Sequence, residues 1–118
     1  LYHGLKDLEE IILVEKQPLS DPSWFGFMLT LKDGVKFSRN EIVEFLENSN
    51  IQTRNLFAGN MLRHPMFDSL VENEEYRVVG ELKNTDKIMN DSFWIGLYPG
   101  MGDDAIAYMV EKIRAFIK

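Results

Sequence analysis

The sequence of 118 residues contains no cysteine. A disulfide framework, a thiolate metal site and a cysteine nucleophile are therefore excluded for this chain. Only two histidines are present, His3 and His64, and they stand too far apart to form a metal site by themselves. No serine lies in the strand-to-helix turn typical of a hydrolase nucleophile. We accordingly expect neither a metal site nor a complete set of catalytic residues within this chain.

Long apolar runs and an excess of positive charge are also missing. No apolar run approaches the roughly 20 residues of a membrane-spanning helix, and no basic stretch followed by an apolar one marks a secretory leader. With 13 Lys and Arg against 19 Asp and Glu, the net charge is -6. The charge argues against nucleic acid and anionic membranes as partners. A cytoplasmic protein is the default expectation.

The sequence does contain enough apolar material for one hydrophobic core. Hydrophobic residues make up 45% of it and aromatic residues 12%, and the length is that of one ordinary domain. The chain opens "LYHGLKDLEEIILVEK" at Leu1, without an initiator methionine. From this opening we expect residues 1–118 to be a single domain of a longer protein, with a processed natural chain as the alternative.

Four short stretches are predicted to form strands, three of them apolar. They are "IILVE", "WFGFMLTL" at 24–31, "IQTRN" and "FWIGLY" at 93–98. Gly26 lies inside the second stretch and indicates a bulge or a close approach of another group to the backbone. Trp24 and Trp94 both fall in predicted strands, and we interpret them as core or interface residues.

The most specific local signal is the start of a helix at "SRNE". Ser38 is predicted as the N-cap and Glu41 as its partner in a capping box. The helix should run to about Ser49, and Asn50 follows where a left-handed backbone conformation is needed.

Two further helices complete the prediction. One covers about 84–92, capped by Asn84 or Thr85, and the other begins with Asp103 as its cap. The last helix has apolar residues at helical spacing: Ile106, Met109, Val110, Ile113 and Phe116. Together these elements predict an α+β fold, with a small, mostly antiparallel sheet and amphipathic helices packed on one face.

The irregular segment 55–75 is the part of the chain that needs a functional explanation. Loops of this length inside a compact domain are usually functional or disordered, and its apolar and aromatic content argues against disorder. It overlaps "NIQTRNLFAGNMLRHPMF" at 50–67, which contains two arginines and two phenylalanines. A loop that covers an anionic ligand has this composition.

Five residues in this stretch are candidate ligand contacts. Arg54 can form a two-pronged pair with a phosphate or a carboxylate, although an ordinary ion pair is the alternative. Asn60 can donate and accept hydrogen bonds, and a plain turn is its alternative. His64 can carry a proton near neutral pH or simply bond the backbone at a corner before proline. Phe57 and Arg63 complete the set.

Several stretches together resemble a known family. They are "DPSWFGFMLTLKDG", "NIQTRNLFAGNMLRHP", "YRVVGELKNTDKIMNDSFWIGLYPGM" and the closing helix, and the likeness covers about residues 10–117. The chain resembles the C-terminal small domain of DegT/StrS-type sugar aminotransferases. Within that family it is most similar to the RfbH-type 3-dehydratases, which remove the 3-hydroxyl of CDP-4-keto-6-deoxy-D-glucose in lipopolysaccharide biosynthesis.

The resemblance implies a parent enzyme of fold-type I that depends on pyridoxal phosphate (PLP) or pyridoxamine phosphate (PMP). The cofactor would be held mainly by an N-terminal domain absent from this chain, and none is expected in this domain alone. A histidine replaces the Schiff-base lysine in the dehydratase branch, but neither His64 nor any lysine of this chain takes that role. An iron-sulfur cluster of the kind that some relatives hold would receive no thiolate from these residues.

The resemblance also implies partners and site roles. The substrate would be a nucleotide-sugar, with CDP-hexose as the expectation, the parent would be a homodimer, and a reductase is the candidate electron-transfer partner. In the family this domain helps to shape the sugar-nucleotide pocket. Arg54 and Arg63 would then offset phosphate charge, Asn60 would bond a sugar hydroxyl, and Phe57 would help to exclude water.

Two other functions stay open from the sequence. One is that the parent belongs to the aminotransferase branch, which the cofactor-bearing residue of the missing domain would decide. A free-standing module that binds a ligand or a protein is the non-enzymatic alternative.

Overall fold

The computed structural model describes all 118 residues, which form four helices and four strands. In chain order these are α1 (Tyr2–Leu5), β1 (Ile11–Leu13), β2 (Gly26–Leu31), α2 (Arg39–Asn48), β3 (Thr53–Asn55), α3 (Lys83–Asp91), β4 (Ser92–Gly96) and α4 (Asp103–Ile117). Between β3 and α3 the chain makes only two short 3-10 turns, Met61–Arg63 and Pro65–Phe67. The long irregular connection predicted from the sequence is therefore present.

The strands form one sheet in the order β1-β2-β4-β3. All three pairings are antiparallel, so β2 and β4 form the centre and the two three-residue strands form the edges. Leu29 lies opposite Phe93 in the central pair. The prediction of a small, antiparallel α+β sheet is confirmed.

One face of the sheet carries the hydrophobic core. Ten buried apolar side chains form a single cluster, with α1, α2 and α4 packed over the inward residues of the strands. The cluster consists of Leu5, Ile11, Leu29, Leu31, Ile42, Leu46, Ile51, Phe93, Ile95 and Ile113. Because side chains alternate along a strand, Met28 of β2 and Trp94 of β4 point to the opposite side, here called the second face. Helix α3 contributes no residue to the core cluster.

Neither tryptophan is a core residue. Trp94 lies in β4 as predicted but belongs to the second face, while Trp24 precedes β2 and is 48% exposed. The core interpretation is therefore wrong for both residues, and only the interface interpretation is left.

The capping box at the start of α2 is confirmed. The Oγ of Ser38 accepts a hydrogen bond from the backbone N–H of Glu41 at 3.3 Å, and the Glu41 carboxylate accepts one from the Ser38 N–H at 2.7 Å. Hydrogen bonds from the Ser38 backbone and hydroxyl lower the pKa of Glu41 below its usual value. Asn50 adopts the expected left-handed conformation, with φ of 59°.

The other two predicted caps are wrong by one to three residues. Helix α3 starts at Lys83 with Leu82 in the cap position, because the Leu82 carbonyl accepts the first helical bond from Asp86. Helix α4 is capped by Gly102, so Asp103 lies in the first turn, where a carboxylate interacts favourably with the positive helix end. None of the helices has the length and apolar character required to cross a membrane.

Candidate functional site

Three strands bring a row of side chains together on the second face. Met28 of β2 lies opposite Trp94 of β4, and Trp94 lies opposite Arg54 of β3. Directly opposed residues on one face of an antiparallel pair have Cβ atoms about 5 Å apart. The row therefore places an aromatic ring between a thioether and a guanidinium.

Gly26 allows the Trp94 ring to lie close to β2. A Cβ atom at residue 26 would come within 2.7 Å of Cε3 of the indole, closer than such atoms approach in folded proteins. The Phe25 ring meets the indole edge-on, with centroids 5.2 Å apart and an interplanar angle of 70°. The predicted close approach at Gly26 is confirmed, and it is made by a side chain. The register through this position is continuous, so no bulge is needed.

The loop after β3 completes a small apolar depression on this face. It encloses about 140 Å³, and we call it the aromatic pocket; its lining residues are Phe25, Gly26, Met28, Leu56, Phe57 and Trp94. Phe57 is 82% exposed and has φ of 42°. A bulky side chain rarely adopts a positive φ, and such strain is concentrated at ligand clamps and active sites.

Arg54 stands beside this pocket without a carboxylate partner. Its guanidinium donates to the Thr53 carbonyl at 2.8 Å and forms no salt bridge. The neighbouring Glu47 carboxylate is used elsewhere, since it accepts hydrogen bonds from the Thr53 hydroxyl and N–H. These bonds, more than the charge of Arg54, lower the pKa of Glu47. The ordinary ion pair considered as an alternative for Arg54 is thus not formed.

Asn60, Arg63 and Asp86 form a hydrogen-bonded group, here called the Asp86 cluster. The Asn60 amide donates to Asp86 at 2.6 Å, and its carbonyl oxygen accepts from the Leu62 N–H at 3.1 Å. Arg63 donates twice to the same carboxylate, at 2.8 and 3.2 Å. Hydrogen bonds from Arg63 and then Asn60 lower the pKa of Asp86.

The Asp86 cluster gives two of the candidate residues partners within this chain. Asn60 is only 3% exposed and its amide is bonded to Asp86. Arg63 pairs with Asp86 while its side chain stays 61% exposed. Their contacts with a ligand stay a prediction. The cluster fastens the loop to α3. Sequence reasoning missed Asp86 because it lies 26 residues beyond Asn60.

His64 and Gly59 also serve the folding of this loop. His64 Nε2 lies 2.6 Å from the Ala58 carbonyl oxygen, which is the backbone-bonded corner considered as its alternative. Gly59 has φ of 62°, and a Cβ there would approach the Met89 side chain of α3 to 2.5 Å. Of the five candidates, Arg54 and Phe57 are exposed and have no side-chain partner of opposite charge in this chain.

A larger apolar cavity of about 590 Å³ adjoins the aromatic pocket and shares Gly26 and Met28 with it. Trp24, Phe27 and Ile106 line it, together with the first two residues of the chain. Its only charged lining residues are Glu15 and Lys16. It carries none of the candidate residues, so the aromatic pocket is the better candidate site despite its smaller volume.

Sequence comparison places these features among known proteins. Residues 1–114 match the model of the DegT/DnrJ/EryC1/StrS aminotransferase family. The chain is 50% identical over 117 residues to the lipopolysaccharide biosynthesis protein RfbH of Salmonella typhimurium, covering 98% of this chain and 26% of RfbH. It is 44% identical over 117 residues to a dTDP-4-dehydro-2,6-dideoxy-D-glucose 3-dehydratase of Saccharopolyspora spinosa, covering 99% of this chain and 24% of that protein. The chain thus spans about a quarter of the length of these relatives.

Solved structures share the fold. An E. coli GDP-4-keto-6-deoxy-D-mannose-3-dehydratase with bound hydrated PLP superposes with a TM-score of 0.79 at 23% identity, covering 99% of this chain and 28% of that one. DesV of S. venezuelae, in complex with a ketimine intermediate, gives a TM-score of 0.77 at 18% identity, covering 99% of this chain and 29% of that one. At these identities the likeness establishes the architecture alone.

Proposed function

Because the chain belongs to the DegT/DnrJ/EryC1/StrS aminotransferase family, we propose that it is the C-terminal small domain of a nucleotide-sugar 3-dehydratase that depends on PLP or PMP. The observation that carries this proposal is the identity with RfbH over almost the whole chain. Half of the residues agree over that length. The parent would be a cytoplasmic homodimer.

The proposed reaction is removal of the 3-hydroxyl from CDP-4-keto-6-deoxy-D-glucose in deoxysugar and lipopolysaccharide biosynthesis. The name of RfbH supports the pathway, and the name of the Saccharopolyspora spinosa relative supports the reaction on a nucleotide-linked keto sugar. The choice of CDP follows from the likeness to the RfbH branch. A reductase is proposed as the partner that supplies electrons to the parent enzyme.

Lys87 does not fit the role of a lysine that carries PLP. A lysine that carries PLP must lose its proton to act as a nucleophile. Lys87, which is partly buried, instead donates to Asp33 at 2.6 Å and to Asp91 at 3.0 Å. The hydrogen bond that Lys87 donates to Asp33 is the main cause that raises the pKa of Lys87. We therefore assign the cofactor to the part of the parent outside this chain.

Within the parent, this chain would supply one wall of the sugar-nucleotide pocket. Arg54 would pair with phosphate, since its charge is not neutralised by a carboxylate of this chain. Phe57 would exclude water, because its ring is exposed at the rim of the aromatic pocket. Asn60, Arg63 and His64 would hold the loop in the shape that presents these two residues.

The test is the activity of the full-length protein with PMP and CDP-4-keto-6-deoxy-D-glucose. Mass spectrometry should show a sugar that has lost its 3-oxygen, and the parent sequence should carry histidine at the Schiff-base position. Lysine at that position with a 4-amino sugar as product would assign the aminotransferase branch instead. A gene encoding only these residues would favour a free-standing binding module.

A further inference from the structure

We propose that Arg39 is a positioning residue of the parent enzyme: it holds the turn at Phe57 through Asn55 without touching the substrate. The inference rests on the proposed function, because it explains how the pocket wall that this chain would supply keeps its shape. Arg39 is the first residue of α2, and Asn55 is the last residue of β3. Phe57 follows two residues later, in the loop that begins there.

The Arg39 guanidinium connects the two ends of the segment 56–91, which lies between β3 and β4. Its Nη1 donates to Oδ1 of Asn55 at 2.6 Å and to the carbonyl oxygen of Ser92 at 3.3 Å. Asn55 is the last residue before the segment, and Ser92 is the first residue after it. Ser92 is itself held by the central strands, since its side chain is fully buried and its hydroxyl shares a hydrogen bond of 2.8 Å with that of Thr30 on β2. Arg39 therefore ties the start of the segment to a fixed point of the sheet.

Helix α2 secures both ends of β3, an edge strand of three residues with β4 as its single neighbour. At the start of the strand, the Glu47 carboxylate accepts hydrogen bonds from the N–H and the hydroxyl of Thr53. At its end, Arg39 donates to Asn55. The two α2 side chains thus add to a strand pairing that is too short to fix the end of β3 by itself.

Asn55 transmits this restraint to Phe57. Its backbone carbonyl accepts a hydrogen bond from the Phe57 N–H at 2.9 Å, which closes a turn of only three residues. Phe57 has φ of 42°, and a strained backbone of this kind persists only where the surrounding structure holds it. The side chain of Asn55 is bonded to Arg39 while its carbonyl is bonded to Phe57. Loss of the Arg39 guanidinium would leave the strained turn without that support.

Arg39 acts from the side of the sheet opposite the aromatic pocket. Helix α2 packs over the core face, to which it contributes Ile42 and Leu46. Asn55 alternates along β3 with Arg54, so its side chain points to the helix side and that of Arg54 to the second face. The sheet therefore separates the Arg39 guanidinium from a ligand on the second face, which is why we assign it positioning and not contact.

The place of Arg39 in its own helix also indicates a role outside that helix. It is the first residue of α2, directly after the Ser38 cap. The amino-terminal end of a helix carries partial positive charge, which disfavours a cation in the first turn. Residues that oppose a local preference are concentrated at sites with another task. The bonds from Arg39 to Asn55 and Ser92 are that task.

Kinetics of the full-length protein with PMP and CDP-4-keto-6-deoxy-D-glucose test this role. Arg39→Ala and Asn55→Ala should each raise KM about tenfold and leave kcat unchanged. The double variant should show no further rise, because both changes break the same contact. Arg77→Ala is the matched control, since Arg77 is an exposed arginine of the same segment. Ile113→Val controls for stability: it weakens the core at α4, away from β3, and should leave KM unchanged.

Hydrogen exchange of the same proteins, followed by mass spectrometry, reports on the turn without turnover. Arg39→Ala should speed exchange at the Phe57 N–H and leave the Thr53 N–H unchanged, because Glu47 holds the latter. Unchanged exchange at Phe57 would overturn the proposal. So would KM increases that multiply in the double variant, or a native KM in both single variants of an active dehydratase. Missing dehydratase activity together with the expected exchange pattern would reject the proposed function alone and leave the restraint on Phe57 established.

Discussion

Arg54 and Trp94 lie directly opposite each other on β3 and β4, on the sheet face away from the core cluster. An edge strand thus presents a guanidinium next to an indole that is itself supported by Phe25 and Gly26. The indole lies on β4, a central strand whose other face packs against the core, whereas the guanidinium lies on an edge strand.

We expect Arg54→Ala in the full-length enzyme to weaken substrate binding more than it destabilises the fold. Loss of a hydrogen bond to a charged group costs about 1.5–3 kcal/mol, which corresponds to a rise in KM of roughly 10- to 150-fold. Steady-state kinetics and the melting temperature measure the two effects. An unchanged KM with a lowered melting temperature would make Arg54 structural. Arg77→Ala is the control, since Arg77 is exposed and lies in the irregular connection before α3.

Gly26→Ala should destabilise the chain by about 1–3 kcal/mol, the usual cost of overpacking. The added methyl group meets the Trp94 indole at 2.7 Å, so the ring must move. Urea unfolding measures the loss, and near-UV circular dichroism reports the displaced indole. The matched control is Gly96→Ala, because Gly96 pairs with Gly26 across the strands and has open space around it. Equal effects at the two positions would contradict the packing argument.

Asn60→Ala should lower the free energy of unfolding by about 1–3 kcal/mol. The change removes one hydrogen bond to Asp86 and leaves the partly buried Leu62 N–H without its acceptor. Chemical denaturation measures the effect, with Asn90→Ala as the control because Asn90 is exposed on α3. A loss no larger than that of the control would mean that water replaces the amide, and that Asn60 is not needed to hold the loop.

The Asp86 cluster should contribute stability that depends on pH. Hydrogen bonds from Arg63 and Asn60 lower the folded-state pKa of Asp86. The contribution is therefore complete above the unfolded pKa of about 3.9 and is lost as the pH falls from there through the folded pKa. Asp86→Asn should be less stable than the native chain at pH 7, with a difference that shrinks below about pH 4.

Urea unfolding of both proteins at a series of pH values gives that difference directly. Other carboxylates with lowered pKa values, such as Glu41 and Glu47, are common to both proteins and cancel. Asp21→Asn serves as the control for an exposed carboxylate. A stability difference that is constant from pH 7 to pH 2 would contradict the role assigned to Asp86.

Phe57→Gly should leave the stability unchanged or raise it by about 1 kcal/mol, because glycine adopts a positive φ without strain. The exposed ring contributes little packing in this chain. Phe57→Ala keeps the strained backbone and should show no such gain. The melting temperatures of the native chain, Phe57→Gly and Phe57→Ala measure these effects. A lower melting temperature in Phe57→Gly would show that the ring stabilises the loop.

Elements fixed by neighbouring residues were predicted well from the sequence. The capping box needs only Ser38 and Glu41, three positions apart, and Asn50 follows directly from the end of that helix. Strands β1, β2 and β4 were found because their apolar composition is continuous over several residues. The caps of α3 and α4 were missed by one to three residues. Asn84, Thr85 and Asp103 all have side chains that suit a cap, but the two helices begin earlier, after Leu82 and Gly102.

The site was predicted only in part because its geometry depends on distant residues. Nothing near Asn60 or Arg63 in the sequence indicates that Asp86 will use both side chains. The exposure of Trp94 likewise depends on which face of β4 the helices cover, and strand composition alone does not reveal the face. Arg54 and Phe57 are exposed in the structure, and their contact with a ligand stays a prediction.

The sheet ends on both sides in a strand of only three residues, β1 on one side and β3 on the other. Short edge strands offer few unpaired backbone groups to another chain, which is one way in which proteins avoid edge-to-edge aggregation. The sheet is therefore poorly suited to growth by strand addition.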